Sequence, residues 1–404
     1  MKKRDWIKVI VLVLTIAFIV PCFTSCAAGT KVLTLKADNG KTYVVNKEQF
    51  DFLMCYTKAN FFMNRDEPLP SSYDIPAYLW EQEMDSETHQ TVDDYYKQYV
   101  VNQLKGVLVE EYLFDKYNLK LNDEEVAAEK KSVQTAVSNL GGTGSYKQYW
   151  GYRWQMLYDH TLASLRSTAV MEYLYGENGV NKVSEDELEQ YYQENFAGYF
   201  VIKLDMNNKI KTDEEGNRVR KTTKDSEGVE TELDAYEMVA LTDEEKEEKA
   251  LLPQILIYKL EDDVDFQELA VEYSDDYLSV KYADGLYITE AQLTNYLSDS
   301  TVISAVQALE VGAYTQPVSV SDGKYTYIVK RVELLEKAYA EEEYADLFAD
   351  YEETVKYDKY DELIRNYVEL IETNDAVIEK ASMANTFLTE YVDYYYQLYK
   401  NYNK

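Results

Sequence analysis

The sequence of 404 residues has few of the side chains that bind metals or form disulfides, with three cysteines and two histidines, His89 and His160. Three cysteines cannot build a disulfide scaffold or a four-cysteine zinc site. The two histidines lie far apart in the sequence without a paired carboxylate motif nearby, which favours structural roles over a metal centre or a catalytic triad. We therefore predict a protein without a metal or another cofactor.

Basic residues are also scarce, because 41 lysines and arginines stand against 74 aspartates and glutamates, for a net charge of -33. Such a chain is a poor match to a phosphate backbone, so we exclude nucleic acid as a partner. The length and the 46% content of hydrophobic residues are typical of two or three ordered globular domains. The chain has 40 tyrosines against 12 phenylalanines, which predicts broad surfaces that are apolar at the ring and hydrated at the hydroxyl.

The first residues have the pattern of an export signal. A basic start precedes the apolar stretch Val9–Val20, which is too short to span a bilayer as a helix. Small residues then precede Cys26, as in a bacterial lipobox. We predict that residues 1–25 are a lipoprotein signal peptide and that Cys26 is lipidated, which places the protein on the outer face of the cytoplasmic membrane. An ordinary signal peptide or an uncleaved anchor is the alternative.

Residues 26–198 are predicted to form a mostly helical domain that begins with a hairpin. Val32–Leu35 and Thr42–Val45 flank Asp38-Asn39-Gly40, and Asn-Gly favours a turn with positive φ at both residues. Helical periodicity then continues to about residue 198, with a helix start at Ser184, where Glu187 completes a capping box.

Residues 199–336 are predicted to form a compact α+β module, because short strands such as Tyr199–Leu204 and Tyr325–Val332 enclose helices. A polar, basic segment at about 207–231 reads as an insertion. It is either a solvated loop or small hairpin, or a segment that docks on an acidic surface.

Residues 337–404 are predicted to be helical, with tyrosine-rich stripes over residues 357–371 and 387–398. Two explanations remain open for these stripes. They either pack on the N-terminal helices or form an open surface for polypeptides.

Several stretches resemble, in order, the PrsA/SurA class of exported parvulin-type foldases. They are Asn46–Phe50, Glu110–Glu125, Val183–Asn195, Asp265–Asp276, Val311–Val318 and Tyr325–Lys330. The resemblance implies a helical chaperone domain that is built from both ends of the chain, with a parvulin-type peptidyl-prolyl isomerase domain inserted between them. It implies unfolded or newly exported polypeptides as partners and leaves a homodimer open.

The same resemblance implies positions for site residues. Asp276 matches an acid of the parvulin polar network, while Lys203 and Tyr327 stand where the family has its two histidines. Leu293 and Val302 fall near two residues of the family's proline pocket. The implied catalytic residues are therefore Asp276 and Tyr327, and the implied substrate pocket contains Leu293, Val302 and Lys203. With both histidines absent, the parvulin-like domain is degenerate.

Three functions follow as hypotheses. The first is a membrane-anchored foldase or chaperone whose parvulin-like domain is weak or inactive. The second is an active peptidyl-prolyl isomerase in which Asp276 and Tyr327 polarise the site. The third is a lipoprotein that binds a solute or the cell wall.

Overall fold

A computed structural model describes residues 29–63, 80–85, 88–224, 228–321 and 323–387. These residues form helices and small antiparallel sheets, so the predicted α+β class is confirmed. The chain divides into two compact units. The first joins the chain before Val183 to the chain after Val355, and the second is Val183–Val355. Cys26, the apolar stretch before it and the stripe beyond Phe387 lie outside the described residues.

The helices are α1 (Lys47–Met63), α2 (Val92–Lys116), α3 (Asp123–Asn139), α4 (Thr143–Trp150), α5 (Trp154–Tyr175), α6 (Glu185–Asn195), α7 (Asp243–Glu261), α8 (Phe266–Tyr273), α9 (Tyr277–Lys281), α10 (Glu290–Leu297), α11 (Ser300–Gln307), α12 (Tyr351–Val368) and α13 (Asp375–Ile378). Within the described ranges, none of the helices is both long enough and apolar enough to cross a bilayer.

The strands are β1 (Lys31–Lys36), β2 (Thr42–Asn46), β3 (Glu83–Asp85), β4 (Gln90–Thr91), β5 (Phe196–Asp205), β6 (Asn208–Ile210), β7 (Arg220–Lys224), β8 (Glu230–Tyr236), β9 (Met238–Ala240), β10 (Leu286–Thr289), β11 (Val318–Val320), β12 (Tyr325–Val332) and β13 (Ile371–Thr373).

The predicted N-terminal hairpin is confirmed as β1 and β2, but its turn differs from the prediction. Gly40 has φ of 77°, whereas Asn39 is not in the positive-φ region. The Gly40 N–H donates to the Ala37 carbonyl, and the Ala37 N–H donates to Lys41. This is a three-residue loop in which a type I turn is followed by a left-handed glycine. The extra residue makes the second positive φ unnecessary.

The described N-terminal strand and the described C-terminal segment meet within the first unit. Strand β13 pairs with β1, and Leu35 lies opposite Ile371 in this antiparallel ladder. Farther along, the buried Lys58 ammonium donates to the carbonyls of Met383 at 2.5 Å and Thr386 at 2.8 Å. Burial lowers the pKa of Lys58 to about 8, which leaves the ammonium protonated at neutral pH. The C-terminal segment is therefore held by a ladder and by a buried donor.

The tyrosine-rich face of α12 packs inside the first unit rather than facing solvent. Tyr360 and Ile364 are buried, and the Tyr367 ring lies 5.3 Å from the ring of Tyr112 on α2. An ideal Cβ on Gly106 would lie 3.9 Å from Ile364, so α12 closely approaches α2. The packing explanation is thus confirmed for this stripe.

His160 is a buried polar side chain in the first unit. It is 1% exposed, and neither ring nitrogen has a partner among the described residues. Its ring lies 5.0 Å from the ring of Tyr56 and 5.8 Å from that of Phe52. Burial lowers the pKa of His160 to about 3, so the imidazole is neutral at physiological pH.

Replacing His160 with leucine should stabilise the first unit by about 1–2 kcal/mol, because it removes an unpaired buried donor and acceptor at similar volume. Urea denaturation followed by the fluorescence of Trp150 and Trp154 measures the change. The His160→Gln control keeps polar atoms in the same place and should show no gain. A leucine variant that is less stable than the wild type would refute this prediction.

The second unit is built on an antiparallel sheet of four strands in the order β10-β5-β12-β11. Its core on one face contains Ile202, Leu204 and Ile328, which pack with Leu256 of α7 and Phe266 of α8. Because side chains alternate along a strand, Lys203 and Tyr327 point to the opposite face. The opposite face also carries buried Val201 and Val329, so Lys203 and Tyr327 lie on a mixed face.

The second unit begins earlier and ends later than the predicted 199–336 module. Helix α6 contributes Tyr192, whose ring lies 5.3 Å from Phe196 and 5.9 Å from Phe348. The capping box predicted at Ser184 is confirmed at the start of this helix. The aromatic side chains that precede and follow the sheet in the sequence therefore pack together, and these segments belong to the unit.

The basic insertion forms paired strands, as in the small hairpin that was one of its predicted forms. Asn208 pairs with Ala240, so the inserted segment ends later than the predicted 207–231. Its acidic second half contains β8, which pairs with β7 in the basic first half. Arg218 donates to the carbonyls of Val271, Glu272 and Ser274 at the end of α8. The basic segment is a small hairpin whose arginines bind within their own unit.

Candidate functional site

Lys203 and Tyr327 lie side by side on the face of the sheet opposite Ile202 and Ile328. They are direct cross-strand partners in the β5–β12 ladder. The Lys203 ammonium lies 5.7 Å from the centroid of the Tyr327 ring and 4.9 Å from that of Tyr325. Cations are attracted to the faces of aromatic rings at such distances, so both tyrosines hold the lysine over the sheet.

Asp276 reaches the same place from the N-terminus of α9. It is the N-cap of that helix, and its carboxylate accepts from the N–H and the hydroxyl of Ser279 at 2.9 and 3.0 Å. The Tyr296 hydroxyl of α10 donates to the same carboxylate oxygen at 2.7 Å. The carboxylate is therefore held by three donors of its own unit.

The residues just before Asp276 are hydrogen-bonded to β5. The Ser274 hydroxyl accepts from the Lys203 N–H at 3.1 Å, and the Asp275 N–H donates to the Lys203 carbonyl at 2.8 Å. The Asp275 carboxylate accepts from the Lys249 ammonium at 2.6 Å and from the Asp205 N–H at 2.8 Å. These contacts fix Asp276 relative to the lysine.

Arg220 supports the loop from the other side. Its guanidinium lies 4.5 Å from the centroid of the Tyr277 ring and donates to Glu232 at 2.6 Å. Tyr236 of the same hairpin lies 5.4 Å from Tyr277, ring to ring. The inserted segment therefore packs against Tyr277, the residue that follows Asp276.

Burial and charge set the protonation of the cluster. Burial alone would lower the pKa of Lys203, but Tyr327 and the negative charge of Asp276 outweigh it, and that pKa is raised. Burial raises the pKa of Tyr327, and Lys203 only partly opposes this. Burial, followed by the charge of Asp276, raises the pKa of Tyr296 well above its ordinary value. At neutral pH the cluster thus holds an ammonium and two neutral phenols.

This arrangement can stabilise negative charge but offers little for proton abstraction. The Lys203 ammonium and the Tyr327 phenol are hydrogen-bond donors. The Asp276 carboxylate is an acceptor, but it already accepts from Ser279 and Tyr296. Polarisation of a carbonyl is the chemistry that such donors support. Among the described residues, no group of three or more His, Cys, Asp or Glu side chains is placed to bind a metal.

The predicted pocket residues behave differently from the polar ones. Leu293 on α10 and Val302 on α11 are buried, at 1% and 0% exposure. Lys203 is half-buried and joins the cluster with Asp276 and Tyr327. The structure brings the three polar residues together, while the role of Leu293 and Val302 as walls of a substrate pocket stays a prediction.

Sequence reasoning missed Tyr296, Ser279 and Tyr325 as members of the cluster. The pair Asp276 and Ser279 has the spacing of an N-cap and the third helical residue, which is a signal for a helix start. Tyr325 lies two residues before Tyr327 and so shares its face of the strand. Tyr296 has no local signal, because its contact with Asp276 depends on how α10 packs.

The first unit has a cavity of its own. It has a volume of about 270 Å³ and includes Lys47, Asp51, Met54, Tyr152 and Phe387 in its lining. The Lys47 ammonium pairs with the Asp51 carboxylate at its edge. The lining also includes Lys380, Ser382 and Asn385, so apolar and polar side chains are mixed in it.

Comparison with known proteins gives only distant likenesses. No protein-family model matches the sequence, and no curated protein does. The chain is similar to the solved structure of PrsA from Bacillus subtilis at 18% identity, over 71% of this chain and 87% of that chain, with a TM-score of 0.22. It is similar to a PrsA peptidylprolyl isomerase from Bacillus cereus at 18% identity, over 74% and 96%, with a TM-score of 0.27.

A third likeness is to the foldase protein PrsA from Streptococcus pneumoniae, at 15% identity, over 87% of this chain and 97% of that chain, with a TM-score of 0.24. At such low TM-scores these likenesses carry no argument about the fold or the function. The chain is similar in part to these proteins, and its assignment depends on its own residues.

Proposed function

We propose that this protein is a foldase for exported polypeptides, anchored through Cys26 on the outer face of the cytoplasmic membrane. In this proposal the unit built from both chain ends holds unfolded clients, and the second unit is a degenerate parvulin-like module with weak or no isomerase activity. The supporting observation is the chain organisation. β13 pairs with β1 in one unit, while Val183–Val355 forms another around a small antiparallel sheet.

We expect weak isomerase activity because the carboxylate of the polar cluster is already hydrogen-bonded within the unit. An isomerase must bind a proline ring and favour the twisted amide, whose rotation has a barrier of about 18–20 kcal/mol. Asp276 is engaged by Ser279 and Tyr296, and both predicted pocket side chains, Leu293 and Val302, are buried. Because the Asp276 carboxylate already accepts hydrogen bonds within the cluster, few polar groups remain to bind a substrate.

An active peptidyl-prolyl isomerase is the second candidate, and one observation favours it. Lys203, Asp276 and Tyr327 converge although they are distant in the sequence, at the positions where the resemblance puts the parvulin network. The Lys203 ammonium and the Tyr327 phenol are donors suited to the prolyl nitrogen, whose lone pair is released as the amide twists. The third candidate, a solute- or cell-wall-binding lipoprotein, has no such support.

Two assays on the full chain test the proposal. We expect equimolar protein to suppress aggregation of an unfolded client. We expect acceleration of a proline-limited refolding reaction to be below about tenfold, which is a lowering of the barrier by less than about 1.4 kcal/mol. Any acceleration present should fall in the Asp276→Ala and Tyr327→Phe variants and persist in Tyr173→Phe, a tyrosine control in the first unit.

The outcomes separate the candidates. Strong acceleration that Asp276→Ala abolishes would replace the first candidate with the active isomerase. If neither aggregation nor refolding responds to the protein, both foldase candidates fail and a binding lipoprotein remains.

A further inference from the structure

The outer face of α7 presents an apolar stripe to solvent. Leu251, Ile255 and Tyr258 are 64%, 44% and 58% exposed, and their spacing of four and three residues places them on one side of the helix. The opposite side of the same helix holds Leu256 and Ile257, which are buried in the core of the second unit. Folding of the unit therefore leaves this stripe uncovered.

Carboxylates stand at both ends of the stripe. Glu244, Glu247 and Glu248 precede it and Asp262 follows it, all exposed, and helical periodicity places them around the same outer face. In the part of the chain that the structure describes, none of the four forms an ion pair. The nearby Lys259 is turned elsewhere, since its ammonium donates to the Tyr273 hydroxyl at 2.8 Å.

We propose that this stripe binds a cationic amphipathic polypeptide segment, in which lysines or arginines flank apolar residues. Exposed apolar surface with a polar rim is typical of protein interaction sites. The unpaired carboxylates at both ends make the surface complementary to positive charge, which contributes to specificity and to the association rate. The inference rests on the proposed function and deepens it, since an exported client held by the first unit would also supply a segment for this surface of the second unit.

The charge pattern disfavours a second copy of this chain as the occupant. Two α7 helices that met along their stripes would place carboxylates opposite carboxylates in either orientation, because both ends of the stripe are acidic. Like charges placed opposite each other in this way exclude a partner. An overall charge of -33 on each copy adds to the repulsion.

The dimensions of the surface define a suitable probe. Glu244 and Asp262 are separated by about 27 Å along the helix axis, at a rise of 1.5 Å per residue. An extended peptide of about eight residues covers this length. Basic residues at its ends would reach the carboxylates while its apolar residues lie on Leu251, Ile255 and Tyr258.

The test measures binding of a fluorescein-labelled peptide of about eight residues with terminal lysines and an alternating leucine–serine centre. The matched peptide has glutamates in place of the lysines. Fluorescence anisotropy with the purified full chain should show at least about tenfold tighter binding of the lysine peptide at low salt, with the preference reduced at high salt.

Variants locate the binding site. The double variant Leu251→Gln/Ile255→Gln should weaken binding of the lysine peptide by about tenfold or more. Glu247→Gln/Glu248→Gln should weaken it by about threefold or more and lower its salt dependence. All four positions are exposed, so the fold should persist, and circular dichroism checks this.

Matched controls lie in the first unit. Leu370→Gln/Val180→Gln removes two other exposed apolar side chains, and Glu124→Gln/Glu125→Gln removes two other adjacent carboxylates. Both should leave peptide binding within about twofold of the wild type. Equal binding of both peptides, or equal losses in control and stripe variants, would overturn the proposal.

Self-association would overturn it as well. A dimer in sedimentation experiments that Leu251→Gln/Ile255→Gln dissociates would identify a second copy as the occupant. The peptide assay requires no folding activity, so a negative result here leaves the aggregation and refolding assays to decide the proposed function separately.

Discussion

The Lys249→Met variant should lose about 3–5 kcal/mol of stability in the second unit at neutral pH. Lys249 and Asp275 form an ion pair at 2.6 Å whose side chains are 11% and 10% exposed. Removing the ammonium leaves a carboxylate buried without its charge partner, which costs more than the pair itself contributes. The lysine also donates to the Asn208 carbonyl, and the variant loses this contact too.

Hydrogen exchange of the amides in Val183–Val355 measures this loss, because the tryptophans of the chain lie outside that unit. Lys246→Met is the matched control on the same helix, since its contact with Asp243 at 3.9 Å is exposed and should contribute less than about 1 kcal/mol. Burial raises the pKa of Asp275, so the effect of Lys249→Met should shrink on acidification as the carboxyl becomes neutral. Equal losses in both methionine variants would contradict the account of the buried pair.

The Glu110→Gln variant should become more stable relative to the wild type as the pH rises, by about 3 kcal/mol in total between pH 4 and pH 8. Burial raises the pKa of Glu110 from 4.5 to about 7, although Ser167 and Tyr360 donate to its carboxylate at 2.6 and 3.1 Å. Because the folded pKa is raised, the folded state binds the proton more tightly. The wild type therefore has the full contribution of this group below pH 4.5 and loses it as the pH rises through about 7.

Glutamine keeps an oxygen acceptor for both hydroxyls but does not ionise, so its contribution does not change with pH. Urea denaturation at several pH values, with wild type and variant compared at each, isolates Glu110 from the other titrating groups. Glu110→Leu is the control without an acceptor, and it should destabilise the first unit at every pH because two buried hydroxyls lose their partner. Parallel curves for the glutamine variant and the wild type would show that Glu110 titrates normally.

Local patterns predicted the elements of this fold but not how far each extends. The hairpin at Asn39 and the capping box at Ser184 depend on a few neighbouring residues, so the sequence contains the whole signal. The turn type at Asn39 and the end of the inserted segment at Ala240 depend instead on the register of strand pairing. Register is decided by which strands meet, and residues that are far apart in the sequence set it.

The candidate site shows the same division. Lys203, Asp276 and Tyr327 were singled out by the resemblance to the parvulin family. Their proximity depends on the β5–β12 register and on the hydrogen bonds of Asp275 to β5. Tyr296 was missed because its contact with Asp276 is made by the packing of α10. Ser279 and Tyr325 had local signals, in the cap at Asp276 and in the alternation along β12, whereas a partner supplied by tertiary packing had none.

We propose above all that the protein holds unfolded exported polypeptides. Light scattering of a denatured client, diluted into buffer with and without an equimolar amount of the full chain, tests it most directly. The account predicts that the protein keeps the client from scattering, and that Asp276→Ala suppresses scattering as well as the wild type does. Scattering that rises as fast with the protein as without it would contradict the account.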